Sequence, residues 1–101
     1  MLRVLLLQDV SSALLAPYLS SSNVVVFSWF WCPYCVKVKW WLWWKGYAYK
    51  DYLIERMGPE GATIHEEIKK VYQHETVPAV FVKGQFVGGC DDVLKLGKLD
   101  A

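Results

Sequence analysis

Two cysteines three positions apart, Cys32-Pro33-Tyr34-Cys35, sit where a short apolar run gives way to a helical segment. No other feature constrains the chain as tightly. Upstream, Val24-Val25-Val26-Phe27 is β-branched and aromatic and follows a serine cluster and Asn23, which predicts a buried strand. Downstream, residues 33–45 hold no glycine and no second proline, Pro33 suits a first helical turn, and Gly46 is a natural stop. A Cys-x-x-Cys between strand and helix points to redox chemistry rather than to metal binding. Unpaired N–H groups and aligned peptide dipoles at the first turn stabilise an anion, so Cys32 is the expected nucleophile, reacting as its thiolate. Cys35, one turn further in, is shielded and expected to stay a thiol.

The rest of the chain supplies a small α/β domain. Residues 47–54 alternate aromatic and polar side chains and predict a second strand, followed by a loop over residues 57–61. Thr63 and Glu66 form a capping-box pattern that opens a second helix, with Ile64, Ile68, Val71 and Tyr72 on one face. Residues 79–82 and 85–87 are apolar runs joined by Lys83-Gly84, an antiparallel hairpin, and Gly88-Gly89 ends the second of them. Asp91 and Asp92 open a last helix, where acidic groups complement the peptide dipoles. The order of elements predicts a four-stranded mixed sheet flanked by helices, in one domain over residues 1–101. The N-terminal stretch, residues 1–22, reads as an amphipathic helix with Val4, Leu7, Leu14, Leu15 and Leu19 inward. Its lone Arg3 and its serines also give it some likeness to an organelle-targeting segment.

Charge narrows the function. Eleven Lys and Arg against ten Asp and Glu leave a net charge of +1, and the basic residues are scattered, which argues against a nucleic-acid binder. Three cysteines cannot build the multi-bridge framework of a small secreted domain, so a reducing compartment is expected, the cytoplasm first and an organelle second. No stretch is long and apolar enough to span a bilayer.

Two further motifs lie far from the cysteines. Thr76-Val77-Pro78 immediately precedes a predicted strand, and Gly88-Gly89-Cys90-Asp91-Asp92 permits close backbone approach just before a helix, the outline of a carboxylate site. Cys32-Pro-Tyr-Cys35, Thr76-Val-Pro78 and Gly88-Gly-Cys-Asp-Asp92, in this order and spacing, resemble a dithiol glutaredoxin over residues 23–100. The resemblance implies a thioredoxin-like fold, a Cys32–Cys35 disulfide in the oxidised form, and glutathione-dependent reduction of disulfides and glutathionylated proteins. It implies that Pro78 is the cis-proline of that fold, that Val77 backbone groups pair with the cysteinyl part of glutathione, and that Gly89, Cys90 and Asp91 hold its γ-glutamyl end. Thr76 then lines the groove and Tyr34 borders it. Glutathione is a co-substrate, and no metal is implied. Some members of the family bridge an iron–sulfur cluster between two chains, a role that Pro33, by stiffening the loop, argues against. Zinc lacks a second close cysteine pair, and Cys90, His65 and His74 are individually ordinary.

The chain departs from the family pattern at the glycyl end of the groove. Trp29 stands where a lysine is usual, His65 where a glutamine often contacts the glycyl carboxylate, and Glu75 where a basic residue is common. Each weakens that end, and losing one charge-assisted contact typically costs about 1–3 kcal/mol. All six tryptophans fall between Trp29 and Trp44. At 3.6 residues per turn, Val38, Trp41, Leu42 and Lys45 share one face of the first active-site helix and Val36, Trp40, Trp43 and Trp44 the other. Trp40, Trp43 and Trp44 are therefore expected to point outward, a surface for self-association or membrane contact. Such clustering suggests a family sequence altered by design at positions 29, 30 and 40–44, and the alternative function is a redesigned scaffold with weakened redox activity.

Overall fold

The computed structural model describes residues 14–100. Residues 14–19 are helical (α1), and the chain then enters β1, Val24–Ser28, all five residues of which are buried. A strand buried on both faces must be apolar on both, which is why its valines run consecutively instead of alternating with polar residues. Helix α2 (Pro33–Lys45) carries the chain across to β2 (Lys50–Leu53), which lies parallel to β1 with Val26 opposite Asp51 and Phe27 opposite Tyr52. A 3-10 turn over Ile54–Arg56 and helix α3 (Pro59–Tyr72) follow, then β3 (Ala79–Val82), β4 (Gln85–Gly88) and α4 (Cys90–Leu96). β3 pairs antiparallel with β1 and with β4, giving a four-stranded mixed sheet in the order β2-β1-β3-β4. This is the fold expected from the sequence.

Successive β1 residues feed two cores. Val25 and Phe27 join Leu15 and Leu19 of α1, Ile64 and Ile68 of α3, and Ala79 and Phe81. Val24 and Val26 face the other way, onto Val38 and Leu42 of α2, Cys90 and Val93 of α4, and Leu99. The period-2 alternation of a strand thus places α1 and α3 on one face of the sheet and α2 and α4 on the other. Each large aliphatic or aromatic side chain so buried contributes about 1.5–3 kcal/mol. Leu15 and Leu19 point inward as expected and Leu14 is half-buried; Val4 and Leu7 lie outside the described residues.

Some predicted boundaries move. The second strand covers Lys50–Leu53 only, because Tyr47 and Tyr49 pack against the α2–α4 core instead of pairing. Tyr47 also accepts from the Leu99 N–H at 2.8 Å through its hydroxyl, and donates to the Leu99 carbonyl at 3.2 Å. Helix α3 begins at Pro59, four residues before the predicted capping box, and Thr63 spends its hydroxyl on the Pro59 carbonyl at 3.0 Å. β4 extends to Gly88, which pairs with Val80, and α4 begins at Cys90 with Asp91 and Asp92 in its first turn. The hairpin turn is as expected: Lys83 and Gly84 both have positive φ, 51° and 80°, as a two-residue type I′ turn demands.

Candidate active site

Cys32 is the N-cap of α2 and Pro33 its first helical residue. The cap places Cys32 Sγ to accept the backbone N–H of Cys35 at 3.2 Å, so a sulfur does what Ser or Asp oxygens do at other helix starts. The sulfur thereby sits at the positive end of the helix, in line with its first unpaired N–H groups. The sulfur also lies 3.8 Å from the Val77 carbonyl oxygen, a weak S–H donor contact when protonated. Cys35 is fully buried, and its thiol is pushed up to about 12 by burial first and by its contact with Cys32 second. The two cysteines are thus unequal, one at the helix tip and the other locked as a neutral thiol beneath it. Cys32, Cys35 and Cys90 are all free thiols here.

The Val77–Pro78 peptide bond is cis, and the loop it belongs to holds the Val77 carbonyl beside Cys32. Beyond that loop a groove of about 290 Å³ opens, lined by Tyr34, His74, Thr76, Val77, Pro78, Gly89, Cys90, Asp91 and Asp92. Seven of these residues, Tyr34, Thr76, Val77, Pro78, Gly89, Cys90 and Asp91, are the groove residues named from sequence, brought together from three separate stretches of chain. The volume is at the lower end of small-ligand sites, suited to one extended fragment. Gly89 is tightly enclosed: a Cβ there would meet His74 Cε1 at 3.3 Å and the Pro78 carbonyl at 3.4 Å. Cys90 is buried, and its thiol is raised above the ordinary value by that burial, with Lys37 acting in the opposite sense.

His65 lies elsewhere, in a neighbouring hollow of about 260 Å³ shared with Trp29, Glu55 and Ala62. Its Nε2–H donates to the Glu75 carbonyl at 2.8 Å, and its ring stands T-shaped to that of Trp29, with ring centres 6.0 Å apart. Lys69 lines an adjoining hollow with Ala62, His65 and Glu66, 3.8 Å from the Glu75 carboxylate in an exposed pair. Phe30 is held by its N–H to the Glu55 carboxylate and by the Arg56 guanidinium 4.6 Å from its ring centre.

One groove residue, His74, was not read as such from the sequence, and Asp92, read there within the glycine-rich motif and as a helix opener, takes a more specific role. His74 donates its Nε2–H to the Pro78 carbonyl at 3.0 Å and walls the Gly89 side of the groove, a role that its place four residues before Pro78 could have signalled. Asp92 accepts the Gly89 N–H at 3.1 Å and fixes the turn into α4. An acidic residue three positions after a candidate N-cap was the available sign.

A four-stranded mixed sheet with a Cys-x-x-Cys at the start of α2, facing a cis-proline loop, defines the thioredoxin-like class of folds. Residues 24–87 match the Glutaredoxin family model. A chloroplastic glutaredoxin C5 of Arabidopsis thaliana is 33% identical over 78% of this chain, and a probable glutaredoxin of Synechocystis is 35% identical over 78%. Those matches span 45% and 72% of the respective relatives' lengths. A crystal structure of a buckwheat glutaredoxin–glutathione complex superposes with a TM-score of 0.80 at 28% identity, covering 88% of this chain and 80% of that one. The chain belongs to the glutaredoxin family.

Proposed function

We propose that the chain reduces disulfides and glutathione mixed disulfides at the expense of glutathione, with Cys32 as nucleophile and Cys35 as resolving thiol. The observation that carries this is the position of Cys32 Sγ, capping α2 between the Cys35 N–H and the carbonyl of Val77, a residue that lines the groove. The Cys32 thiolate attacks the glutathionyl sulfur of a protein mixed disulfide; a sulfur–sulfur bond forms to glutathione, and the protein thiolate leaves. A second glutathione thiolate then attacks the glutathionyl sulfur, releasing oxidised glutathione and restoring the Cys32 thiolate. With a protein disulfide the first product is a Cys32–protein mixed disulfide, which Cys35 resolves by attacking Cys32 Sγ as its proton is lost. Two glutathiones reopen the resulting Cys32–Cys35 bridge.

Bound glutathione lies along the groove, its cysteinyl backbone on Val77 and its γ-glutamyl end on Gly89, Cys90 and Asp91, with Thr76, Pro78 and Tyr34 as walls. The buckwheat complex supports this assignment by showing a similar chain with glutathione bound. The glycyl end falls toward His65 and Trp29; the His65 Nε2–H is already given to the Glu75 carbonyl, so this end lacks the positive charge that the family commonly supplies from the positions of Trp29 and Glu75. The chain works in a reducing compartment, the cytoplasm or, by the printed name of the Arabidopsis relative, a plastid. No helix among the described residues is long and apolar enough to cross a membrane.

The test is glutathione-coupled reduction of a small mixed disulfide. Turnover is expected in the wild type and in Cys35→Ser and absent in Cys32→Ser. Activity surviving in Cys32→Ser, or no turnover from a folded wild type, overturns the assignment.

A further inference from the structure

Helix α2 carries two apolar faces. Cys35, Val38 and Leu42 are sunk into the core, whereas Val36, Trp40, Trp43 and Trp44 stand 56%, 63%, 68% and 64% exposed on the other side. Their spacing, i, i+4, i+7 and i+8, makes one continuous stripe along the helix. Thiol exchange at Cys32 uses none of these side chains. We propose that this stripe docks the protein on an anionic lipid surface, with α2 lying in the plane of the interface and its indoles at headgroup level.

Side-chain type favours that occupant. Indoles combine a large apolar body with a polar N–H, the combination enriched where hydrocarbon meets water. Charge favours it as well. Helix α2 has no acidic residue; Lys37 borders the stripe in its first turn, and Lys45, rooted on the other face in the last turn, brings its ammonium round to Trp44. Neither lysine forms an ion pair among the described residues. The Lys45 ammonium instead lies 5.6 Å and 5.9 Å from the ring centres of Trp41 and Trp44, which sets positive charge directly beside the aromatic surface. An apolar face rimmed with lysine is the pattern of helices that lie on anionic membranes.

The same features disfavour a second copy of the chain. A symmetric pairing through this stripe would bring the α2 lysines of two molecules together with no acidic α2 side chain between them. Three indoles exposed to this degree offer on the order of 400 Å², at about 150–250 Å² per aromatic side chain. A stable protein interface needs about 800 Å² per partner. A bilayer requires no matching surface and accepts a patch of this size.

Docking goes beyond the redox reading and does not depend on it. Only its consequence does: Cys32 caps the same helix, so docking would hold the nucleophile at the membrane surface, beside thiols of membrane-attached proteins.

The experiment is co-sedimentation of the full chain with phosphatidylcholine vesicles, with and without phosphatidylserine, at low and high salt. Binding is expected only with phosphatidylserine, weakened by salt and accompanied by a blue shift of tryptophan fluorescence. The triple variant Trp40→Ser, Trp43→Ser, Trp44→Ser should lose at least about tenfold in binding. Lys37→Gln and Lys45→Gln should each lose about fivefold. These side chains are exposed or at the surface, and circular dichroism with mixed-disulfide turnover shows that each variant is folded. Equal binding to both vesicle types, no binding, or binding insensitive to the α2 substitutions overturns the proposal. So does a concentration-dependent dimer that the triple variant abolishes without any vesicle binding. A wild type that binds vesicles without turning over would instead fail the redox assignment alone.

Discussion

Lys39 of α2 reaches across to Asp51 of β2, Nζ to Oδ2 at 2.9 Å, in a pair whose side chains are only 20% and 22% exposed. The other carboxylate oxygen of Asp51 accepts the hydroxyl of the fully buried Ser28 at 2.5 Å. Helix, central strand and neighbouring strand are thereby tied at one polar point, one helical turn from Cys35. The positive charge of Lys39 also acts on the Cys35 thiol in the direction opposite to burial.

Removing that cation leaves Asp51 charged and partly buried with a single partner. Lys39→Met should therefore lower stability by about 1–3 kcal/mol, read as a shift in the urea midpoint. Reduction of glutathione mixed disulfides through Cys32 alone should be retained. An unchanged midpoint would show that the pair contributes nothing net.

Burial pushes the Cys35 thiol up from 9.0 to about 12. Between those values the unfolded chain gives up this proton and the folded chain keeps it. The unfolded state then binds fewer protons, so stability falls as pH rises. The contribution is fully present below pH 9 and is lost as pH climbs toward 12. Cys35→Ala should flatten the decline in this window. At neutral pH, iodoacetamide followed by mass mapping should modify Cys32 well before Cys35; equal labelling of the two would contradict the asymmetry.

Trp29 offers no charge to the glycyl carboxylate of glutathione, and its ring stands T-shaped to that of His65. Trp29→Lys should lower the KM for glutathione about tenfold, the equivalent of one charge-assisted contact, with a smaller effect on kcat. An unchanged KM would place the glycyl end away from the His65 hollow.

Two glycines should respond differently to one added methyl. A Cβ on Gly61 would land on the Ile54 carbonyl, a backbone atom that cannot swing aside. Gly61→Ala should cost stability by more than about 2 kcal/mol. At Gly89 the nearest atoms are 3.3 Å and 3.4 Å away, so Gly89→Ala should fold but raise the KM for glutathione. Thermal unfolding and steady-state kinetics on both variants separate the two effects.

Much of this was legible in the chain because the decisive signals are local. Cys32-Pro33 at a strand end specifies a capped helix, and Lys83-Gly84 specifies a tight hairpin, with no distant contact needed. What was misread depended on partners far along the sequence. Tyr47 and Tyr49 carry strand-forming side chains, yet Tyr47 is recruited by Leu99 and Tyr49 by the α2–α4 core. Thr63 and Glu66 have the spacing of a capping box, but Pro59 starts the helix earlier and turns Thr63 into an interior residue bonded backward. His74 looked ordinary because its role exists only once Pro78 and Gly89 lie beside it. The groove itself was foreseen from resemblance, since nothing local brings residues 34, 76 and 91 together.

β1 is hydrogen-bonded on both sides and buried along its whole length, and the nucleophile follows it after a short loop. Amides of such a strand are released only when the whole domain opens, whereas edges and helix ends open far more often. In hydrogen-exchange terms, Cys32 hangs from the last part of the molecule to come undone. Local breathing at β2, β4 or the helix termini would then leave the root of the thiol site in place, and that root would be lost together with the fold as a whole.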